Sequence, residues 1–594
     1  MAFNRLFSTP EEVLAEFERQ LESDDEELDL QLDFEESDLE DGDVLKSDDF
    51  EDEFSVGDED LDPSAVMDLN SDERVFELGK DGETIWTNQP INSKFSRTKA
   101  CNLITDRPGP KGNAKNLTDE LELLSLFITE DMISKIVRHT NEQIEVTQIR
   151  FQTPQSYIGP TDEVEIRATI GLLYLSGVLK NSGLSVDDMF STTYGLPLFR
   201  LTMSKNRFVY ILANLRFDNR ATRKERQLSD KFAPFREIWS MFEEKCSKYY
   251  SPTECVTVDE TLLGFRGRCC FRMYIPSKPD KYGLKIISLC DANTFYFLGG
   301  IPYIGKEQRR KNEDLPLPAQ YVLRLTNSLS GSNRNVTCDN WFSSVELADA
   351  LLEKKLTFVG TLRKNKRQIP QSTLSKRPVG TSEYFFQDNK MLICYTPKKN
   401  KKVLLLSTMH STGETDEISQ KPEIVHYYNQ TKGGVDVLDK LCHDKTTKRK
   451  NRRWPMRYFF GILDISAVNA FVLYKWNKNK ASYPRQERSN FLKSLAFLLI
   501  KPTFEKKWVN TLVPRENRIF IGKLLNKQEI LPAVDSPTTP AASKKRKRCA
   551  FCDLSRDRKG NAICSKCSNS LCGEHKIIVC PSCDNEDKEN DNFM

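Results

Sequence analysis

No long uninterrupted apolar run is present. Stretches such as Leu495–Ile500 are far too short to cross a bilayer, and the opening Met-Ala-Phe-Asn-Arg turns acidic without the apolar core of a secretory signal. Neither a membrane partner nor export is expected. There is no internal repeat, which sets repeat architectures aside. A disulfide framework is also missing. Nine of the sixteen cysteines are scattered between Cys101 and Cys442, and the other seven crowd into the tail. Clustered cysteine in a chain with no export signal points to metal rather than to disulfides. Basic residues are nearly absent from one window: residues 21–60 hold 21 Asp or Glu and only Lys46, a charge of −20. Since the whole chain carries +1, the remainder carries +21. An acidic arm on a basic body suggests a polyanion-binding protein with a solvated, regulatory arm.

What is there suits a chain of several domains. Residues 1–116 read as an acidic, disordered arm ending in the Pro/Gly/Lys/Asn stretch Arg107–Asn116. Within it Ser23, Ser37, Ser47 and Ser71 precede acidic residues, as acid-directed kinase sites do, or as any serine in a solvated tail does. Order is expected from Leu117, with Thr118-Asp119-Glu120 starting a helix. Further helical patterns cover Glu163–Lys180, Ser204–Phe217 and Phe232–Tyr250. The β-branched run Cys255–Glu260 then reads as a strand ending on two carboxylates, followed by a basic loop with Arg266, Arg268, Arg272 and Lys278 and a second strand, Leu284–Asp291. A strand at Phe295–Ile304 and a helix at Ala319–Leu329 follow. Asn335–Phe342 repeats the device of a β-rich run ending on an acid, then come a helix at Val345–Lys355 and a strand at Leu356–Leu362. This alternation predicts an α/β sheet. Lys364–Lys421 breaks the rhythm with hairpin-like runs at Tyr384–Phe386, Met391–Tyr395 and Val403–Ser407, a β-rich insertion. Helical character returns at Gly433–Lys440, Tyr458–Lys478 and Arg488–Ile500, before a Pro/Ala/Ser/Thr-rich linker at Gln528–Ser543.

Three acids stand out: Asp259 and Asp339 at strand ends and Asp436 on a helix, with Asp439 three residues on and on the same helix face. Two cations roughly 3.5–4 Å apart need one bridging carboxylate and others beside it, and strand ends with a helix start can converge to supply them. From spacing alone this is one acidic triplet among many. The surrounding residues go further. Val258-Asp259-Glu260 through Gly264-Phe265-Arg266-Gly267-Arg268, then Thr337-Cys338-Asp339-Asn340-Trp341-Phe342, then Tyr428-Asn429-Gln430-Thr431-Lys432-Gly433-Gly434-Val435-Asp436 with Asn451-Arg452-Arg453-Trp454-Pro455, closely resemble the piggyBac family of DNA transposases. The resemblance runs from about Leu117 to the C-terminus, in the family's order.

That resemblance implies an α/β multidomain protein. Its RNase H-like catalytic domain lies at 255–363 and 425–456, with a β-rich insertion at 364–424, and a helical dimerisation and DNA-binding domain is assembled from 117–254 and 457–527. Asp259, Asp339 and Asp436 become a DDD triad for Mg²⁺ or Mn²⁺. Asp439 matches a fourth acid near the metals, or is a solvated helix residue. The implied reaction is phosphoryl transfer without a covalent enzyme intermediate. Water nicks the transposon end, the released 3′-hydroxyl makes a hairpin, and after reopening the 3′-hydroxyls attack TTAA target DNA. Arg266, Arg268, Arg363, Lys366, Lys432, Lys448, Arg452 and Arg453 flank the motifs and are candidate phosphate contacts, or solvated surface charge. Trp454 either stacks on an unpaired base or anchors the next helix in the core. Expected partners are double-stranded DNA, both transposon ends and target, and a second copy of the chain.

The tail is legible without any family. Cys549-x-x-Cys552, Cys564-x-x-Cys567, Cys572-x-x-His575 and Cys580-x-x-Cys583 give eight ligands in four pairs, enough for two structural Zn²⁺. In an interleaved cross-brace, Cys549, Cys552, Cys572 and His575 form one site and Cys564, Cys567, Cys580 and Cys583 the other; sequential pairing is the alternative. The zinc domain spans 549–583, with a short tail at 584–594. Lys544-Lys545-Arg546-Lys547-Arg548, in the linker 528–548, reads as a signal for a nuclear import receptor or as a non-specific DNA clamp. The whole predicts a nuclear, metal-dependent transposase; that its acidic arm competes with DNA is a hypothesis from the −20 window, under which deleting residues 1–100 tightens DNA binding at low salt. A domesticated DNA-binding protein without transposition is the competing class, and a zinc-module ubiquitin ligase is a weaker third because it leaves the acids unexplained.

Overall fold

The computed structural model describes residues 45–46, 75–90, 102–104, 106–151, 155–276, 278, 280–305, 315–416, 421–478, 485–527, 547–553, 555–556, 558–560, 562–563 and 569–575. The chain forms two compact units, Met1–Asn526 and Lys527–Met594.

Among the described residues the larger unit carries fourteen strands: β1 (Leu45–Lys46), β2 (Phe76–Leu78), β3 (Ile85–Thr87), β4 (Gly109–Pro110), β5 (Tyr250–Ser251), β6 (Cys255–Gly264), β7 (Arg272–Tyr274), β8 (Tyr282–Asp291), β9 (Phe297–Pro302), β10 (Asn335–Cys338), β11 (Thr357–Leu362), β12 (Ser382–Gln387), β13 (Lys390–Lys398) and β14 (Lys401–Ser407). All but β4 and β5, which pair with each other, join one twelve-stranded sheet in the order β1-β7-β8-β6-β10-β11-β14-β13-β12-β3-β2, with β9 also on β8. At its centre stands β9-β8-β6-β10-β11. Here β8 is antiparallel to β6 and β9 antiparallel to β8, while β10 and β11 run parallel with β6. Parallel neighbours need a crossover, and the helix Val345–Glu353 supplies the one from β10 to β11. Nearly every residue of β6 and β8 is buried, as a sheet covered on both faces requires.

Three expectations change. β6 does not stop at Glu260: Thr261, Leu262 and Leu263 continue the ladder against Ile286, Lys285 and Leu284 of β8, so Asp259 sits in mid-strand. The insertion's strands extend the main sheet, since β14 pairs antiparallel with β11 and β13 and β12 follow. Part of the segment expected to be disordered is built into the fold. The hairpin β2–β3 adds to β12, and Trp86, fully buried, donates its indole N–H to the Gln368 carbonyl at 2.7 Å.

Helices flank the sheet. Glu120–Ser125 begins as expected, with Asp119 accepting from the Leu121 and Glu122 amides. Glu130–Gln148, a 19-residue helix capped by Thr129, was not anticipated. Glu163–Val178, Lys205–Asn214 and Ala233–Lys248 match the expected patterns to within three residues at each end. The segments on either side of the sheet strands pack together. Glu163–Val178 lies against Arg485–Val509 closely enough that a Cβ at Gly171 would stand 2.8 Å from the Ala496 carbonyl. Trp454–Asn477 is the one helix among the described residues long and apolar enough to cross a membrane, but that stretch is almost wholly buried as the central core helix. Its Asn469 accepts from the Phe297 amide at 2.8 Å and donates to the Phe297 carbonyl at 2.9 Å, pinning the helix to β9.

Candidate functional site

Register brings the first two acids together. β10 runs beside β6 with Cys338 opposite Val258, so Asp339 leaves β10 level with Asp259. The third and fourth acids arrive on the helix Gly434–Asp444. Its approach is set by a buried threonine ladder. Thr257 of β6 donates to the Thr431 carbonyl at 2.6 Å, and Thr337 of β10 donates to the Thr431 hydroxyl at 2.9 Å. Gly434 then passes so close to the strand that a Cβ would lie 2.5 Å from the Thr257 hydroxyl. Only glycine permits that approach, and it delivers Asp436 and Asp439 beside Asp259.

The electrostatics of the cluster are those of carboxylates held together. Burial, and then the charge of Asp339, push Asp259 up to about 8, while Lys278 pulls the other way. Burial raises Asp439 to about 7 against Lys278, the Thr261 hydroxyl and Arg457. Asp339 is pushed up to about 6 by burial and by Glu260, opposed by the Trp341 and Phe342 amides and Lys285. Asp436 is exposed and accepts from Lys278 at 3.2 Å. An all-oxygen set of repelling carboxylates is a donor set for hard divalent cations, so the residues fit Mg²⁺ or Mn²⁺. Their ligand atoms are less tightly gathered than those of the tail: among the described residues, the one group whose ligand atoms all lie within 4.8 Å of one another is Cys549, Cys552, Cys572 and His575.

Residues not singled out from sequence hold the acids in place. Asp339 accepts from the Trp341 amide at 3.0 Å, and its carbonyl takes the Ser343 hydroxyl at 2.6 Å, fixing the loop between β10 and the next helix. On the other side, Lys285 is buried in an ion pair with Glu260, its ammonium 4.0 Å from the Trp341 ring centroid. A lysine inside the apolar run Leu284–Asp291 was the available signal. Asp464, buried on the central helix, accepts from the Thr447 amide and hydroxyl and the Thr446 hydroxyl, each at 2.8 Å, and so ties down the exit of the Asp436 helix. Burial raises Asp464 to about 6, against the Thr447 amide and Arg457. A carboxyl raised on folding contributes stability below its unfolded value near 4, and loses it as pH climbs through its folded value. Asp464→Asn removes that loss. Its unfolding free energy relative to the parent should therefore improve by roughly 2–3 kcal/mol between pH 4 and pH 7. Urea unfolding of both proteins across that range checks this, and a difference that does not move with pH would contradict it.

The candidate DNA contacts divide. Arg266, Arg268, Lys432 and Arg452 are exposed, and Arg363, Lys366 and Lys448 are half-buried. Arg266 and Arg268 ride a loop braced by Arg272, which donates to the Gly267 carbonyl at 2.7 Å. Lys448 lies 3.7 Å from Asp280. Arg453 and Trp454 are corrected to core residues. The buried Arg453 guanidinium donates to the Leu212, Ala213 and Leu215 carbonyls, closing the end of the helix Lys205–Asn214. Trp454 stacks on Phe232 at 5.4 Å and meets Phe271 edge-on at 5.0 Å. Of the two readings of Trp454, the fold takes the core anchor. Asp291 is a turn cap, accepting from the Thr253, Asn293 and Thr294 amides.

In the tail unit, Lys547–Arg548 pairs with Lys559–Gly560, and Ala562–Ile563 with Ser570–Leu571. These ribbons gather Cys549, Cys552, Cys572 and His575, with the His575 Nδ1 3.4–3.6 Å from the three sulfurs. A cysteine-rich tetrad of this size suits zinc. The first pair joins the third and skips the second, as an interleaved arrangement requires. Cys564, Cys567, Cys580 and Cys583 lie outside the described residues, as do most of the basic linker and the four arm serines.

Comparison with known proteins agrees with this geometry. A family model described as Transposase IS4 matches residues 119–471. Human PiggyBac transposable element-derived protein 3 is 25% identical over 374 residues, 60% of this chain and 61% of its own length. This chain thus spans under two thirds of that relative. Human PiggyBac transposable element-derived protein 2 is 21% identical over 413 residues, 66% of this chain and 67% of its own. Among solved structures, a piggyBac transposase synaptic complex with hairpin DNA superposes with a TM-score of 0.70 at 38% identity, over 80% of this chain and all of that one. With the matched segment covering more than half of the sequence and including all four acids, the chain belongs to the Transposase IS4 family, in its piggyBac-type branch.

Proposed function

We propose that this protein is a cut-and-paste DNA transposase of the piggyBac type. The observation that carries the proposal is the convergence of Asp259, Asp339, Asp436 and Asp439 from two adjacent parallel strands and one helix. The central strands support an RNase H-like core: in chain order they stand third-second-first-fourth-fifth, with the second antiparallel to the first. In this reading Asp259, Asp339 and Asp436 hold the divalent cations and Asp439 stands beside them. When bound, the cations would activate the attacking oxygen and neutralise charge on the phosphate. The chain's own residues fix the geometry. The threonine ladder and Gly434 set the distance between strand and helix, and the Asp339 turn aims its carboxylate. Arg266, Arg268, Lys432 and Arg452 supply cations for the DNA backbone.

The solved relative was captured with hairpin DNA, which supports a hairpin step for this chain too; nicking before it, and reopening and transfer into TTAA after it, complete the proposed sequence. Action as a dimer on two ends, in the nucleus, belongs to the same proposal. The human relatives are named as element-derived proteins, which is the ground for a second reading as a retired DNA-binding protein; retention of all four acids favours the enzyme. The test is purified protein with Mg²⁺ and DNA carrying the ends of the element that encodes it. Excised fragments with TTAA hairpins are expected. An intact, DNA-bound chain that cuts nothing would favour the retired reading.

A further inference from the structure

Lys278 lies in the turn between β7 and β8, outside the sets assigned above to metal or DNA. Its ammonium donates to the Asp436 carboxylate at 3.2 Å and to the Glu260 carbonyl at 3.2 Å. The side chain is only 22% exposed. It faces Asp259 on β6 and both Asp436 and Asp439 on the helix, the same carboxylates assigned to cations above. The other cations near the cluster are differently placed. Lys285 is committed to Glu260. Arg457 is buried, with its Nε donated to the Gly264 carbonyl.

From this geometry we infer that Lys278 is a positioning residue of the phosphoryl-transfer site: an intramolecular counter-ion that holds Asp436 and competes with divalent cations for the same acids. The inference rests on the reading of those acids as a metal site. An ammonium on a four-carbon stem is a mobile point charge, able to leave a carboxylate for a neighbouring phosphate oxygen. DNA arriving at the site would draw Lys278 onto its backbone and free the acids for metal, so that metal loading is coupled to DNA binding. By linkage, metal would tighten DNA binding by the same factor.

The experiment titrates Mn²⁺ into the full chain and into Lys278→Met, Lys278→Arg and Asp339→Asn, first without DNA and then with added double-stranded DNA. Binding that Asp339→Asn abolishes is binding at the acids; whatever remains belongs elsewhere and is subtracted. Removing the competing charge should tighten Mn²⁺ binding roughly tenfold in Lys278→Met, the scale of one water-screened charge-charge contact on the exposed Asp436, with Lys278→Arg close to the parent. The enhancement of Mn²⁺ binding by added DNA should shrink in Lys278→Met. Structural damage would loosen metal binding, so tightening separates competition from disruption. Equal or weaker Mn²⁺ binding in Lys278→Met overturns the inference and leaves the metal site standing. Mn²⁺ binding that Asp339→Asn leaves untouched overturns the metal-site reading and this inference with it.

Discussion

Replacing Asp339 by asparagine is expected to stop strand cleavage while leaving the fold and DNA binding in place. The substitution suits the local structure. The Asp339 side chain already serves as an acceptor for the Trp341 amide at 3.0 Å, and an asparagine oxygen can do the same. The Asp339 carbonyl, which takes the Ser343 hydroxyl, is untouched. What disappears is the charge. Asp339 is held up to about 6 by burial and by Glu260, so a neutral group relieves repulsion, and no loss of stability is expected. A cation site deprived of one of three carboxylates should lose at least ~10³-fold in cleavage rate, about 4 kcal/mol of barrier. Three measurements check this together: single-turnover cleavage of end DNA, thermal unfolding, and DNA affinity at fixed salt. Cleavage within tenfold of the parent would remove Asp339 from the catalytic set. Lost cleavage together with lost folding would make it structural instead.

The coming together of the acids was legible where short motifs mark the elements that carry them. Asp259, Asp339 and Asp436 each sit in a local pattern that says strand or helix start, and the sheet brings them to one place. Illegible were features that depend on what lies across the fold. Trp454 follows a basic run, and nothing local distinguishes a stacking platform from a core anchor; Phe232 and Phe271, from two distant segments, decide it. Arg453 looked like a phosphate ligand because its three acceptor carbonyls belong to a helix end 238–241 residues away. The β2–β3 hairpin has the same cause. Phe76, Leu78 and Ile85 stay exposed, so the segment shows little apolar pattern, and its order comes from Trp86 reaching Gln368. The extent of β6 was misjudged for another reason. A carboxylate usually marks a strand end, but at Asp259 the strand runs on to Gly264, held by its ladder against β8.

The largest effect is expected in the tail, where a metal on the Cys/His tetrad would be inseparable from folding. Its described ribbons are two residues long each, and Cys549, Leu571 and Cys572 are buried beside them. The apolar area buried at these residues is small against the entropy of ordering them. A metal held by the tetrad of Cys549, Cys552, Cys572 and His575 would supply the difference, and a structural zinc there would contribute about 10–16 kcal/mol near neutral pH. Chelation should therefore unfold the tail completely while the Met1–Asn526 unit keeps its melting temperature, since the two are separate compact units. Cys572→Ser should lower the bound zinc by one ion per chain and abolish amide-exchange protection around Leu571, without touching protection in β6 or β8. With two interleaved sites, loss of one tetrad also loosens the ligands threaded through it, so Cys572→Ser would weaken the second ion as well. A second ion left unaffected would show that the remaining ligand pairs are not threaded through this tetrad. Zinc counts on the purified variant, read with exchange protection, thus test both the source of the tail's stability and the way its ligand pairs are shared. A tail that keeps its protection after chelation would show that something other than metal holds it.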